Sequence, residues 1–250
     1  MTIAEEFNKN GFAVVENVFT QDELDTINSD KIRFFYEEGA FDDDGKLKVE
    51  KSKSINKIGH GLHHLNPVFK KMTNHPKIQE VFRKIGYQEP KVVQSMYIFK
   101  QPRIGGEVTD HVDATYLRVD PVENLTGVWI AVDDATVENG CLYFIPGSHK
   151  NAEIDYYNVR THDTTGGPLL KYVGDKPTYD QEKFVPVPIK RGDMILIHGL
   201  VAHKSEANRS DKSRHAYTVH VMESKNTTWS PDNWLQETED YKFPPLYESN

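Results

Sequence analysis

The chain has 250 residues, with 38 acidic against 30 basic side chains and a formal net charge of −8. That balance excludes the basic footprint of a nucleic-acid binder or of a protein for anionic membrane surfaces. A lone cysteine, Cys141, excludes a disulfide framework and thiolate-held clusters, so any bound metal must be held by nitrogen and oxygen.

No apolar run approaches the ~18–20 residues needed to span a bilayer. The N-terminus, Met1 to Glu6, lacks the apolar core of a signal peptide, so a cytoplasmic location is expected. Helical signals are confined to the first third. Thr20-Gln21-Asp22-Glu23 reads as a capping box with a short helix after it. The best helix runs from Pro76 to Ile85, where Ile78, Val81, Phe82 and Ile85 recur at i, i+3, i+4 and i+7 before a stop at Gly86. From Lys91 the pattern turns to strands: Val92–Phe99, Gly127–Val132, Cys141–Ile145, Met194–Ile197 and Ala216–Met222, separated by turn-forming Gly, Pro, Asn and Asp. Strands at this spacing without intervening helices predict a sandwich or barrel. The polar stretch Asn151–Glu182 reads as one long loop, of the kind that forms lids or binding elements. One domain over 1–250 is the simplest organisation: a helical layer to about residue 90, a β core over about 91–225, then a tail.

The chemistry starts at His111-Val112-Asp113. On a strand, residues i and i+2 share a face, so the imidazole and the carboxylate project together. Alone, such a pair more often means a surface contact. The segment Met194–His203 adds two histidines to an apolar strand, and buried imidazoles need partners or a metal. Either His198 or His203 would complete a set of two histidines and one carboxylate, which leaves open positions on iron(II). The stretch 204–214 has a turn-rich centre and β-prone flanks, which predicts a hairpin with its loop at Asn208–Asp211. That register sets Ser205 opposite Arg214 on one face and favours His203, which shares the face of Ser205, over His198. A guanidinium fork beside a hydroxyl suits a carboxylate.

Beyond these residues, the chain resembles the phytanoyl-CoA dioxygenase family of iron- and 2-oxoglutarate-dependent oxygenases. The likeness runs from Asn10 onward through Ser54–His60, Val92–Gln101, Gly127–Val132, Glu138–Cys141, Ile145–His149 and Thr227–Pro231. It implies a double-stranded β-helix (jelly roll, cupin-like) core beneath an α-helical layer. It also implies that His111, Asp113 and His203 hold Fe(II) and that Ser205 and Arg214 clamp 2-oxoglutarate. By the same likeness Lys57 assists a carboxylate of that co-substrate, while Trp129 and Met96 line its pocket. O2 is the second co-substrate, and a hydroxylated small molecule is the product. Two departures stand out. Val112 replaces a glutamine frequent in relatives and should point away from the metal. The N-terminal helix also runs almost directly into Lys31–Phe35, where relatives carry a longer insertion.

Two rival readings are a non-enzymatic jelly-roll binding module and a zinc hydrolase, since two histidines and a carboxylate also suit zinc. A clamp for a dicarboxylate beside His203 distinguishes the oxygenase from both. The acidic chain shows no basic patch for the phosphates of an acyl-CoA, so the substrate is expected to be a small molecule other than phytanoyl-CoA. Neither an obligate protein partner nor nucleic acid is implied. Ordinary roles are expected for the remaining candidates. His60, His63 and His64 read as loop histidines near a pocket rather than a second metal site. His149 orders the long loop, and His215 and His220 belong to the strand after Arg214. Trp229 and Trp234 pack the C-terminal segment, and Cys141 is a small buried residue.

Overall fold

A computed structural model describes residues 1–25, 33–36, 55–150, 152–162 and 165–247, with backbone alone at 33–36. Helix α1 (Ile3–Asn10) opens on a capping box in which Glu5 N donates to Thr2 Oγ1 at 3.2 Å and Thr2 N to Glu5 Oε2 at 2.7 Å. Strand β1 (Phe12–Val15) follows, then α2 (Gln21–Asp25), capped by Thr20 and Glu23 as expected. After β2 (Arg33–Tyr36) and β3 (Ile55–His60) come α3 (Leu62–Leu65), α4 (Pro67–Thr73) and α5 (Pro76–Lys84). The remaining chain supplies β4 (Pro90–Lys100), β5 (Val108–His111), β6 (Val119–Asp120), β7 (Leu125–Ala131) and β8 (Leu142–Phe144). Next are β9 (Tyr157–Arg160), β10 (Leu170–Val173), β11 (Val185–Val187) and β12 (Met194–His198). Last come β13 (His203–Ser205), β14 (Arg214–Glu223) and β15 (Thr228–Trp229).

A seven-stranded sheet runs β1-β12-β7-β14-β4-β3-β2, and a four-stranded sheet runs β11-β8-β13-β5. Together they are the mainly antiparallel double-stranded β-helix that the sequence implied, with helices on one side. The period of two decides what each face carries. Along β14, Tyr217, Val219 and Val221 join Ile78, Val81 and Phe82 of α5 in one apolar cluster. The alternate residues, Arg214, Thr218 and His220, face a cavity on the opposite side. Strand β7 is buried at every residue, as a central strand covered on both faces must be. Burying each large apolar side chain of the helical cluster stabilises the fold by roughly 1.5–3 kcal/mol. Among the described residues no helix is long and apolar enough to cross a membrane.

Three local expectations need correction. The first third contributes more than helices, because β1, β2 and β3 are strands of the large sheet. Their runs of four to six residues are too short to show periodicity. The stretch 151–182 is not one irregular loop. Strands β9 and β10 pair within it, Leu170 opposite Arg160 and Val173 opposite Tyr157. Every residue of β10 is exposed, so no apolar alternation marked it. The Ser205–Arg214 hairpin does not form either. Strand β13 pairs with β8 and β5 in the small sheet, whereas β14 lies between β7 and β4 in the large one. The intervening segment crosses between sheets, anchored by buried Asn208, whose Nδ2 donates to Lys100 O at 3.0 Å and Lys212 O at 2.7 Å. Turn chemistry is the same for a hairpin and a crossover, and the choice was made by tertiary pairing. The missing insertion after the N-terminal helix falls largely at residues outside those described.

Candidate metal centre and its cavity

Strands β5 and β13 place His111 directly opposite His203, with ring centroids 4.3 Å apart. Asp113 does not share the strand. The chain leaves β5 after His111 and turns into a short 3-10 helix that begins at Asp113. That turn, rather than strand parity, brings the carboxylate in. Its Oδ1 lies 3.7 Å from His111 Nε2 and 3.6 Å from His203 Nε2, and the three potential ligand atoms lie within 4.8 Å of one another. These separations are too long for hydrogen bonds. Both imidazoles are oriented from behind. Nδ1 of His111 donates to Thr109 O at 2.8 Å, and Nδ1 of His203 donates to Val201 O at 3.0 Å. Each ring therefore offers Nε2 as a lone-pair donor toward Asp113, the orientation that metal-ligating histidines take.

Burial would push the Asp113 carboxyl upward, but His220, His203 and His111 around it outweigh that and hold it well below the usual carboxylate range. Burial, with His203 adding to it against the pull of Asp113, lowers His111 to about 4. A neutral imidazole and an ionised carboxylate at neutral pH are the protonation states a metal requires. Val112, between the ligands, is buried in a separate apolar cluster with Ala114 and Leu117, turned from the site as expected.

The three residues open into a cavity of about 560 Å³ whose wall includes Lys57, Met96, Trp129, Ser205 and Arg214. Arg214 is 1% exposed. Its Nε donates to Gly140 O at 3.1 Å and its guanidinium lies 5.1 Å from the centroid of Trp129. Its Nη1 is buried with no hydrogen-bond partner. Burial lowers its pKa to about 10, with Cys141 and Asp133 opposing. Leaving a charged donor unpaired in the interior is costly, so the arrangement suits an anion arriving from the cavity. Burial likewise lowers the pKa of Lys57. Met96 on β4 and Trp129 on β7 lie in one cross-strand row of the large sheet, on either side of Thr218 of β14.

Two cavity residues were not anticipated as parts of the site. His220 Nε2 lies 3.2 Å from Asp113 Oδ2, where it can donate to the oxygen turned away from the two other imidazoles. Lys100, 2% exposed, donates to Ser205 Oγ at 2.9 Å. The signal for both was parity. His220 shares the face of Arg214 on β14, and Lys100 shares the face of Met96 on β4.

The other histidines have ordinary work. Nδ1 of His63 hydrogen-bonds Ser95 Oγ at 2.7 Å and Nε2 the Tyr241 hydroxyl at 2.8 Å; burial, then His64, lowers it to about 3. His60 accepts from Gln94 Nε2 at 3.2 Å and packs edge-on against Trp234. His63 and His64 lie on the short helix α3 rather than in a loop, and among the described residues these three make no second metal-ligating group. His198 accepts from Leu200 N at 3.1 Å, away from the cavity. His149 bonds to Asn8 O, and His215 packs against Tyr97 and Phe99. Trp229 donates to Leu235 O and Trp234 to Tyr116 O, which holds the C-terminal segment down. Cys141 is fully buried and its thiol is pushed up to about 11 by burial.

A double-stranded β-helix with two imidazoles and one carboxylate converging at its cavity defines a metal-competent jelly roll. The chain belongs to the phytanoyl-CoA dioxygenase (PhyH) family, whose pattern it matches over residues 7–216. A Caenorhabditis briggsae homolog of phytanoyl-CoA dioxygenase domain-containing protein 1 is 60% identical over 283 aligned residues, covering 98% of both chains. The Rattus norvegicus phytanoyl-CoA dioxygenase domain-containing protein 1 is 52% identical over 234 residues, covering 93% of this chain and 80% of its own. Among solved structures, the epimerase SnoN in complex with Fe3+, alpha ketoglutarate and nogalamycin RO shares the fold at a TM-score of 0.69. It is 16% identical and the match covers 98% and 97% of the two chains. EctD from S. alaskensis, with 2-oxoglutarate and 5-hydroxyectoine, matches at 0.62 with 19% identity, over 94% of this chain and 77% of its own.

Proposed function

We propose that the protein is an Fe(II)- and 2-oxoglutarate-dependent dioxygenase that hydroxylates a small molecule other than phytanoyl-CoA. The observation that carries this reading is one cavity holding both a facial His111-Asp113-His203 group and a buried guanidinium with an unpartnered Nη1. A zinc hydrolase has no need of the second feature, and a binding module that had lost its chemistry has no reason to keep it. Membership of the family and the SnoN complex, which holds Fe3+ and alpha ketoglutarate, support the same reading.

The residues fit both groups. Two imidazoles and one carboxylate are the nitrogen and oxygen donors that suit iron(II), with sites left over for a co-substrate. When bound, the iron supplies the oxygen chemistry: O2 and 2-oxoglutarate become succinate and carbon dioxide, coupled to insertion of oxygen into a substrate C–H bond. The chain supplies orientation. Thr109 O and Val201 O hold the imidazoles, and His220 holds the second oxygen of Asp113. Arg214 and Ser205 receive the far carboxylate of 2-oxoglutarate, so the keto-acid end reaches the metal in one pose. Trp129 and Met96 wall that pose, and Lys57 adds a donor across Ile98. Hydrocarbon and aromatic walls exclude water from the reacting end.

The test is succinate formation from 2-oxoglutarate by the purified protein with Fe(II) under air. Turnover is expected to require the metal and to disappear in His111→Ala and Asp113→Ala. Undiminished turnover in both variants would remove the ligand assignment. Incubation with a metabolite extract should then yield products heavier by one oxygen, formed together with succinate.

A further inference from the structure

The cationic end of the cavity contains more than a guanidinium. Arg214 on β14 is the direct cross-strand partner of Lys100 on β4, and the two are 1% and 2% exposed. Like charges opposite each other on a sheet repel, and burial deepens the cost. The fold nonetheless builds a dedicated seat for the lysine. Its Nζ donates to Gly106 O at 2.9 Å, Ser205 Oγ at 2.9 Å and Glu206 O at 2.6 Å, acceptors that match the three protons of an ammonium. Its stem passes where side chains at two glycines would be: a Cβ at Gly105 would lie 2.5 Å from Lys100 Cγ, and one at Gly140 would lie 2.9 Å from Lys100 Cδ. The carbonyl of the same Gly140 accepts from Arg214 Nε, so one residue accommodates one cation and orients the other.

The hydrogen bond to Ser205 has a directional consequence. A serine hydroxyl has one proton and accepts through its lone pairs. Because Ser205 Oγ accepts from Lys100, its own proton is released for a partner in the cavity. We propose that Lys100 is a positioning residue of the co-substrate site, one that turns the Ser205 hydroxyl proton toward the far carboxylate of 2-oxoglutarate and adds a second positive charge beside Arg214. The proposal rests on the dioxygenase reading above. It makes the anion end a three-part receptor of guanidinium, directed hydroxyl and ammonium, matched to a dicarboxylate. A 2-oxo acid without the second carboxylate would gain nothing from it.

Lys100→Met, Ser205→Ala, the double variant and Arg214→Met test it through succinate formation as 2-oxoglutarate is varied. Competition by 2-oxobutanoate, which carries the keto-acid group without a second carboxylate, is measured alongside. Lys100→Met should raise KM for 2-oxoglutarate by about tenfold or more, the size of one lost hydrogen bond to a charged group. It should leave kcat, Fe(II) affinity and inhibition by 2-oxobutanoate little changed. Adding Ser205→Ala to Lys100→Met should cost nothing further, since the hydroxyl is no longer directed. Lys100→Gln, which keeps a donor of similar reach, should lie between wild type and Lys100→Met, and it replaces the latter should that variant fold poorly. The proposal is overturned by an unchanged KM in both Lys100 variants, by equal weakening of 2-oxobutanoate, or by additive effects in the double variant. If Arg214→Met is silent as well, the co-substrate reading itself fails; if Arg214 matters and Lys100 does not, only this proposal does.

Discussion

At the metal-ligating end of the cavity each imidazole donates from Nδ1 to a backbone carbonyl two residues earlier in its own chain segment. At the opposite end Arg214 keeps a buried nitrogen unpartnered beside a second buried cation. The first end is held in its working geometry by local backbone bonds, and the second stores electrostatic cost that a carboxylate would relieve. The contrast separates two tasks. Orientation of the candidate metal ligands is settled at short sequence distance, whereas the proposed dicarboxylate receptor draws on β4, β13 and β14, brought together by the fold.

The largest expected effect lies at the first end. Replacing Asp113 by alanine should abolish iron binding, measured by anaerobic titration, together with turnover, because the variant leaves two imidazoles without their shared carboxylate. Retained iron binding at unchanged affinity would show that the cation sits elsewhere. At the second end, Arg214→Met should weaken 2-oxoglutarate binding by roughly 2–5 kcal/mol, the cost of losing one partner of a buried charge pair, while iron affinity stays the same. A parallel loss of iron affinity would erase the distinction between the ends. Smaller is His220→Leu, which removes the donor to Asp113 Oδ2. It should lower iron affinity about 10–100-fold, as outer partners of metal ligands do, with no change in selectivity between 2-oxoglutarate and shorter 2-oxo acids.

Much of the first end was legible before any coordinates. The His111-Val112-Asp113 spacing and an apolar segment carrying two histidines narrowed the converging group to His198 or His203, but the register that favoured His203 belonged to a hairpin that does not form. Strand parity does not account for the spacing, since Asp113 sits on a turn and not on the strand. The second end is not built as expected. Ser205 and Arg214 line one cavity from two different sheets, and the hairpin expected between them is a crossover. Local turn chemistry cannot tell these apart. Lys100 and His220 were overlooked although strand parity placed them on the cavity face, because a polar residue inside a strand normally signals the solvent side. The exposed strand β10 left no apolar pattern to find.

A further contrast sets a structural histidine against the candidate ligands. Burial holds His63 at about 3 and His198 at about 4, below the ordinary value of 6.5. The folded protein therefore refuses protons that the unfolded chain accepts below about 6.5. This contribution to stability is complete above that pH and is lost as pH falls toward 4 and then 3, at up to about 1.4 kcal/mol per pH unit for each group. Metal-free protein should melt at lower temperature at pH 5 than at pH 7, and His63→Gln should flatten that limb. An unaltered slope in the variant would mean that His63 accepts its proton without strain in the fold.

One cavity is proposed to hold a metal and a dicarboxylate at separable ends. Anaerobic titration of 2-oxoglutarate into the Fe(II)-loaded protein, followed by visible absorption, tests it most directly. A weak charge-transfer band is expected that saturates at one equivalent, fails to appear without Fe(II), and requires far more 2-oxoglutarate in Arg214→Met. Absence of the band in wild type, or a titration unaffected by the Arg214 change, would contradict it.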